Sequence, residues 1–180
     1  IYAFARRQPL WAGVFIGLGA ATKLYPVLAL GAILLLAVRT GRYRPLWITL
    51  GGAGGTWLAV NLPFMLLDPR GWLYFFDFTR DRQAGFSSAY YAWNLVAGRL
   101  RWAALDTPAV NTIAAVSFAL ACLLIAFVAL HAPRRPRLAE LVFLLVAAFI
   151  LTNKVYSPQY VLWLIPLLAL ARPRWRDFLV

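Results

Sequence analysis

The sequence predicts an all-α, polytopic transmembrane protein, and we expect residues 1–180 to form one transmembrane domain. Hydrophobic residues make up 63% of the chain and charged residues 13%, whereas soluble domains contain roughly 45–50% apolar residues. The apolar residues form long runs, and short clusters of arginines separate these runs. Composition and spacing together are typical of a protein with several membrane-spanning helices.

The basic residues predict which helix ends face the cytoplasm. By the positive-inside rule each arginine cluster belongs on the cytoplasmic side, which requires an even number of crossings between neighbouring clusters. Because the clusters lie between apolar runs, we do not interpret the net charge of +12 as a nucleic-acid-binding surface. The four clusters are Arg6 and Arg7; Arg39, Arg42 and Arg44; Arg134, Arg135 and Arg137; and Arg172, Arg174 and Arg176.

The first two helices, 10–22 and 24–38, are expected to form a short hairpin. Pro26 interrupts the apolar run, and the residue before a proline is disfavoured in the α region. Each helix barely spans the roughly 30 Å hydrocarbon core, so the apex is expected to lie shallow on the outer side or to be re-entrant. One long kinked helix is the alternative, and it would place Arg7 and Arg39 on opposite sides.

The next helix, 46–67, is predicted to cross the membrane fully. Its glycine run 51–55, like Gly13 with Gly17, is expected to let a neighbouring helix approach closely. A long external loop, 68–106, follows this crossing.

Three further helices complete the predicted fold. Helix 107–130 returns to the cytoplasm, and helices 138–152 and 160–171 form a second short hairpin that repeats the first. Both hairpin apices and the external loop are therefore expected on the same, outer side.

The external loop is rich in aromatic residues, as is typical of a segment at a membrane interface. Arg80 and Arg82 are candidates for binding a phosphate. If the segment is helical, Asp77 and Asp81 lie one turn apart on one face. Either carboxylate is a candidate acid or base, and ion pairing with the neighbouring arginines is the alternative role.

The chain has only two lysines, Lys23 and Lys154, and both lie at predicted apices. Their surroundings are similar: Thr22-Lys23-Leu24-Tyr25-Pro26 and Asn153-Lys154-Val155-Tyr156-Ser157-Pro158. A lysine in hydrocarbon costs roughly 2.5–3.5 kcal/mol on insertion scales, so each is a candidate for holding an anion. The alternative is an anchor whose ammonium extends to the headgroup layer.

These motifs resemble those of the actinobacterial polyprenol-phosphate-mannose-dependent mannosyltransferases, integral-membrane enzymes of the GT-C class. The resemblance covers nearly the whole chain. It rests on residues 17–26, Asn61-Leu62-Pro63-Phe64, Gly71-Trp72 with Phe76 and Arg82, and residues 153–160.

The resemblance implies transfer of mannose from a polyprenyl-phosphate donor to a glycolipid or glycan acceptor at the outer face of the cell membrane. Lys23 and Lys154 would stabilise the leaving phosphate without a metal or cofactor, with Tyr25, Tyr156, Gln159 and Tyr160 as hydrogen-bonding supports. The family's general base is expected in an external loop upstream of Ile1. We therefore expect the chain to be the C-terminal part of a longer protein and to be inactive alone.

Two other functions remain open from the sequence. A transporter or lipid flippase also contains broken apolar hairpins with ionisable residues. A non-catalytic subunit whose hairpins only pack is the third possibility, although it does not explain two lysines in apolar segments.

Overall fold

A computed structural model describes residues 1–172, which form nine α-helices and no strand. The predicted all-α fold class is confirmed. Arg174 and Arg176 of the fourth arginine cluster lie outside the described residues. Short 3₁₀ turns at Tyr25–Val27 and Pro158–Tyr160 precede the third and ninth helices. The helices are α1 (Tyr2–Ala5), α2 (Pro9–Thr22), α3 (Leu28–Thr40), α4 (Arg44–Leu67), α5 (Pro69–Asp81), α6 (Ala89–Leu100), α7 (Thr107–His131), α8 (Leu138–Thr152) and α9 (Val161–Ala171).

Helices α4 and α7 are long and apolar enough to cross a membrane. Little of either helix is buried inside the protein, and α7 leaves Leu123, Leu124 and Phe127 more than 60% exposed. A soluble core helix would be covered by its neighbours, whereas a bilayer supplies an apolar surrounding for such a surface. The chain is therefore a membrane protein.

Helices α2, α3, α8 and α9 contain 11–15 residues. At 1.5 Å per residue they are about 17–23 Å long, which is less than a hydrocarbon core of roughly 30 Å. Both apices have the same construction. The backbone becomes extended at Lys23 and at Asn153, and a 3₁₀ turn containing a proline starts the returning helix.

Helices α2 and α4 pack against each other and run in the same direction. The Thr49 hydroxyl donates to the Pro9 carbonyl over 3.0 Å, and further along Gly17 lies against Ala53. Since α3 ends next to the start of α4, α3 must run back antiparallel to α2. The first apolar segment is thus a hairpin and not one kinked helix.

The predicted close approach is confirmed at three glycines. A β-carbon on Gly13 would overlap the carbonyl oxygen of Thr49, one on Gly17 that of Ala53, and one on Gly52 that of Leu10. Gly51, Gly54 and Gly55 face open space, so only part of the glycine run is used for packing.

The core lies between α3 and α8, where Ile33, Leu36, Leu141 and Val146 are almost fully buried. The Arg39 guanidinium donates to the carbonyls of Ala129 and Ala132, which satisfies groups that are unpaired at the end of α7. Since α8 follows this end, it runs antiparallel to α3 and parallel to α2. The two hairpin apices therefore lie at the same end of the bundle.

Where the sequence predicts an external loop, the chain forms helices α5 and α6. The Asp68 side chain accepts from the backbone N–H of Gly71 and caps α5, and Ser88 caps α6 in the same way. Helix α5 carries Asp77, Arg80 and Asp81 on one face and most of its aromatic side chains, such as Trp72 and Phe75, on the other, as in helices that lie on a membrane surface. These cap residues explain why helices form where a loop was predicted, because each satisfies a backbone N–H group at the start of its helix.

Candidate functional site

The first apex is joined to the second by stacked aromatic rings. The Tyr25 ring stacks on Trp163 with 4.0 Å between centroids, and the Tyr160 ring stacks on the same side chain at 4.3 Å. The Lys23 ammonium lies 5.3 Å from the Trp163 ring centroid, within cation–π range, and the Lys23 side chain is exposed. Each aromatic pair contributes about 0.5–1.5 kcal/mol beyond area burial, so the apices are held together here.

The second apex lies against the connection between α5 and α6. Lys154 is only 7% exposed, and its ammonium donates to the Arg80 carbonyl over 2.9 Å. The Gly85 backbone N–H donates to the Lys154 carbonyl, and the Tyr90 hydroxyl donates to the Thr152 carbonyl, both over 2.9 Å. The two apices and the α5–α6 segment therefore meet.

Lys154 lies in the connection between α8 and α9, outside the two helices that can cross a membrane. Burial lowers the pKa of its ammonium because the charged form loses solvation. The negative charge of Asp81 raises this pKa, and the positive charge of Arg82 lowers it further. The ammonium thus lies among opposing charges, and Asp81 partly offsets the effect of burial.

The structure separates the two candidate carboxylates. Asp81 lines a cavity of about 430 Å³ at the end of α5, where Asn111 donates to the Arg80 carbonyl over 2.9 Å. Asp77 is exposed one turn earlier and forms no hydrogen bond or ion pair with residues 1–172. The cavity is lined by Arg80, Asp81, Thr107, Pro108, Asn111 and Thr112.

The other predicted residues lie around this centre. Arg82 caps the end of α5, with its guanidinium 5.8 Å from the Phe78 ring centroid. Tyr156 is half-buried against the core, and Gln159 is exposed in the second 3₁₀ turn. Within the described part of the chain, neither of these two side chains forms a hydrogen bond, so their supporting role stays a prediction.

Sequence reasoning missed Trp163 and Asn111. Tyr160 and Trp163 lie three positions apart at the start of a helix, and this spacing places both rings on one face. The sequence therefore contained a signal for Trp163. It contained no signal for Asn111, because the contact of Asn111 with Arg80 depends on how α5 packs beside α7.

This arrangement defines an all-α membrane protein that gathers cations and stacked aromatic rings at one end of its bundle. Ammonium and guanidinium groups bind anionic oxygens, and aromatic faces bind sugar rings or lipid headgroups. No curated protein and no solved structure matches the chain.

The chain belongs to glycosyltransferase family 87, whose family model matches residues 1–158. It is a membrane glycosyltransferase and acts on a sugar donor and an acceptor. Membership argues against a transporter, a lipid flippase or a packing subunit.

Proposed function

We propose that the protein transfers a hexosyl residue, mannose by its motif resemblance, from a polyprenyl-phosphate donor to a glycolipid or glycan acceptor. The reaction takes place at the outer face of the cell membrane, and the protein crosses that membrane several times. The observation that carries the proposal is that the Lys23 apex contacts the Lys154 apex through Trp163, while the Lys154 apex contacts the α5–α6 segment. This places several cations at one end of an apolar bundle.

The chemistry requires stabilisation of a phosphate leaving group. The acceptor hydroxyl oxygen forms a bond to the anomeric carbon while the bond from that carbon to the phosphate oxygen breaks. The electron pair leaves with polyprenyl phosphate, and the hydroxyl proton passes to a base. Fixed cations beside the departing oxygen favour the transition state, since its negative charge grows as the bond breaks.

Lys23 is the cation best placed to bind an incoming phosphate directly. Its side chain is exposed, and its ammonium lies beside Trp163, whose stacking on Tyr25 and Tyr160 holds this apex in place. Lys154 already uses one of its three N–H groups on the Arg80 carbonyl. We assign it the task of adding positive charge and holding the α5–α6 segment in place.

The proton acceptor is proposed to lie upstream of Ile1. Asp81 is the candidate within the chain, since it lines a cavity and its charge acts on Lys154. Asp77 has neither property. A glycosyl acceptor bound in the cavity beside Asp81 would have its hydroxyl near that carboxylate.

The test uses the full-length protein in membranes with labelled polyprenyl-phosphate-mannose, following label into the acceptor pool. We expect Lys23→Ala to lower transfer roughly 100-fold, the order of magnitude for removing one group that stabilises a developing oxyanion. Lys23→Arg should retain part of the activity because it keeps the charge and the contact with Trp163. Polyprenyl-phosphate-glucose and polyprenyl-phosphate-arabinose in parallel establish the sugar.

Arg99→Ala is the matched control, because it removes an exposed cation from α6 without touching either apex. Lys154→Ala is also expected to lose activity, but it leaves the Arg80 carbonyl without its ammonium donor, so Lys23→Ala is the cleaner variant. Full transfer by both Lys23→Ala and Lys154→Ala would reject the phosphate-binding role of the two lysines. Movement of lipid or solute by wild type, without sugar transfer, would reject the transferase.

A further inference from the structure

At the end of the bundle opposite the lysine apices lies a second, larger cavity of about 680 Å³. Ligand pockets usually measure roughly 300–1,000 Å³, so it is large enough for a lipid headgroup. Four of its lining residues are arginines from separate parts of the chain: Arg7, Arg42, Arg44 and Arg135. The cavity belongs to neither the catalytic site nor the contacts between the apices.

The arginines around this cavity have no acidic partners. Among residues 1–172 the one ion pair joins Arg137 to Glu140, neither of which lines the cavity. None of the four guanidiniums donates a hydrogen bond within the described part of the chain, and all four side chains are exposed. Four like charges around one cavity repel each other, and a bound anion would relieve that repulsion.

Helix stability does not explain every one of these positions. Arg44 is the first residue of α4, and a cation is unfavourable at a helix N-terminus because the helix dipole is positive there. Arg7 also has φ of 59°, a left-handed conformation that is strained for a non-glycine residue.

The floor of the cavity is apolar. Ile33, Leu36, Ala37 and Leu46 form its buried base, and Pro45 and Ile48, which also line the cavity, keep part of their apolar surface exposed. A small inorganic anion would contact the arginines but leave this floor uncovered. A phospholipid satisfies both surfaces, since its phosphate meets the guanidiniums and its glycerol and first acyl carbons cover the apolar side chains.

We propose that this arginine cavity binds the phosphate headgroup of an anionic membrane phospholipid. Positive-inside topology accounts for arginines at one end of a membrane protein, but not for four unpaired guanidiniums around a cavity whose apolar lining is partly exposed. The proposal is independent of the sugar donor and of the lysine site. It assigns this end of the bundle to the lipid and the other end to the transferase reaction.

The test is native mass spectrometry of the full-length protein with phosphatidylglycerol and with phosphatidylcholine of identical acyl chains. We expect preferential retention of phosphatidylglycerol. In Arg42→Gln with Arg135→Gln its affinity should fall roughly tenfold or more, because the phosphate loses the charge-assisted hydrogen bonds from two guanidiniums. Both residues lie in connections between helices, so the change leaves every helix intact.

The control is Arg101→Gln with Arg134→Gln, which removes the same charge from residues that do not line the cavity. It should bind phosphatidylglycerol like wild type. Equal retention of the two lipids, or an equal loss in the control, would overturn the proposal. Displacement of the lipid by millimolar inorganic phosphate would show that the cavity selects the anion alone and would overturn the lipid assignment.

Discussion

Lys23 and Lys154 occupy equivalent places in two similar sequences, yet their environments differ. Lys23 is exposed beside an aromatic ring, whereas Lys154 is 7% exposed and bonded to a backbone carbonyl. The difference arises because the α5–α6 segment covers the second apex. Similar motifs therefore support different tasks, direct phosphate contact at Lys23 and a buried positive charge at Lys154.

Burial lowers the pKa of Lys154 and the charge of Asp81 opposes that shift, which predicts a pH effect. Because burial lowers the pKa of Lys154, its charge is present below that pKa and is lost as pH rises through it. Asp81→Asn removes the charge that raises the pKa, so the alkaline limb of kcat/KM for the donor should move to lower pH. The measurement is the pH profile of sugar transfer.

Asp77→Asn is the control for this experiment, since Asp77 has no contact with Lys154 and should leave the alkaline limb where it is. Complete loss of transfer by Asp81→Asn at every pH would instead identify Asp81 as the general base. An unchanged profile would contradict the electrostatic link between Asp81 and Lys154.

At the scale of helices, α2 and α4 depend on glycine for their close approach. The neighbours of Gly13 are backbone atoms of α4, which cannot move away as a flexible side chain could. Gly54 and Gly55, which lie on α4, have no neighbouring atom within 4 Å of the position that a β-carbon would take. The glycine run therefore contains both packing positions and positions that are free to change.

Gly13→Ala and Gly54→Ala are predicted to act in opposite directions. Gly13→Ala should lower the free energy of unfolding by about 1–3 kcal/mol, because the added methyl group forces the helices apart. Gly54→Ala should raise it by about 0.5–1 kcal/mol, because alanine loses less backbone entropy in a helix. Thermal unfolding of both variants in the same lipid–detergent mixture checks this, and equal destabilisation would contradict the α2–α4 packing.

For the whole molecule, the two short hairpins point in the same direction. Their apices lie at one end of the bundle, and the arginines of three connections surround a cavity at the other. We propose that this polarity matches the membrane, with the arginine end in the cytoplasm. A donor site at one end and a lipid site at the other would then contact different leaflets.

Cysteine labelling tests this orientation. Replacing Cys122, the one cysteine of residues 1–180, and any cysteine elsewhere in the full-length protein by alanine gives a background for Phe86→Cys and Arg134→Cys, which lie near opposite ends of the bundle. In intact cells a membrane-impermeant maleimide should label Phe86→Cys and not Arg134→Cys. Both should react after solubilisation, and labelling of both from outside would contradict the proposed orientation.

Within the sequence, local signals determined the helical fold class, the breaks at both apices and the residues gathered there. The length of apolar runs, the positions of prolines and the spacing of arginines are local features, so they can be read directly from the sequence. The helices α5 and α6 were also signalled locally, by the caps Asp68 and Ser88.

Only the tertiary structure decided which of these residues touch. The stack of Tyr25 on Trp163 joins residues about 140 positions apart in the sequence. The hydrogen bond from Lys154 to the Arg80 carbonyl joins residues 74 positions apart. The arginine cavity likewise combines three connections with a floor from α3 and α4. Such contacts follow from how the helices pack around α3, and packing depends on the fit of whole helix surfaces rather than on any short motif.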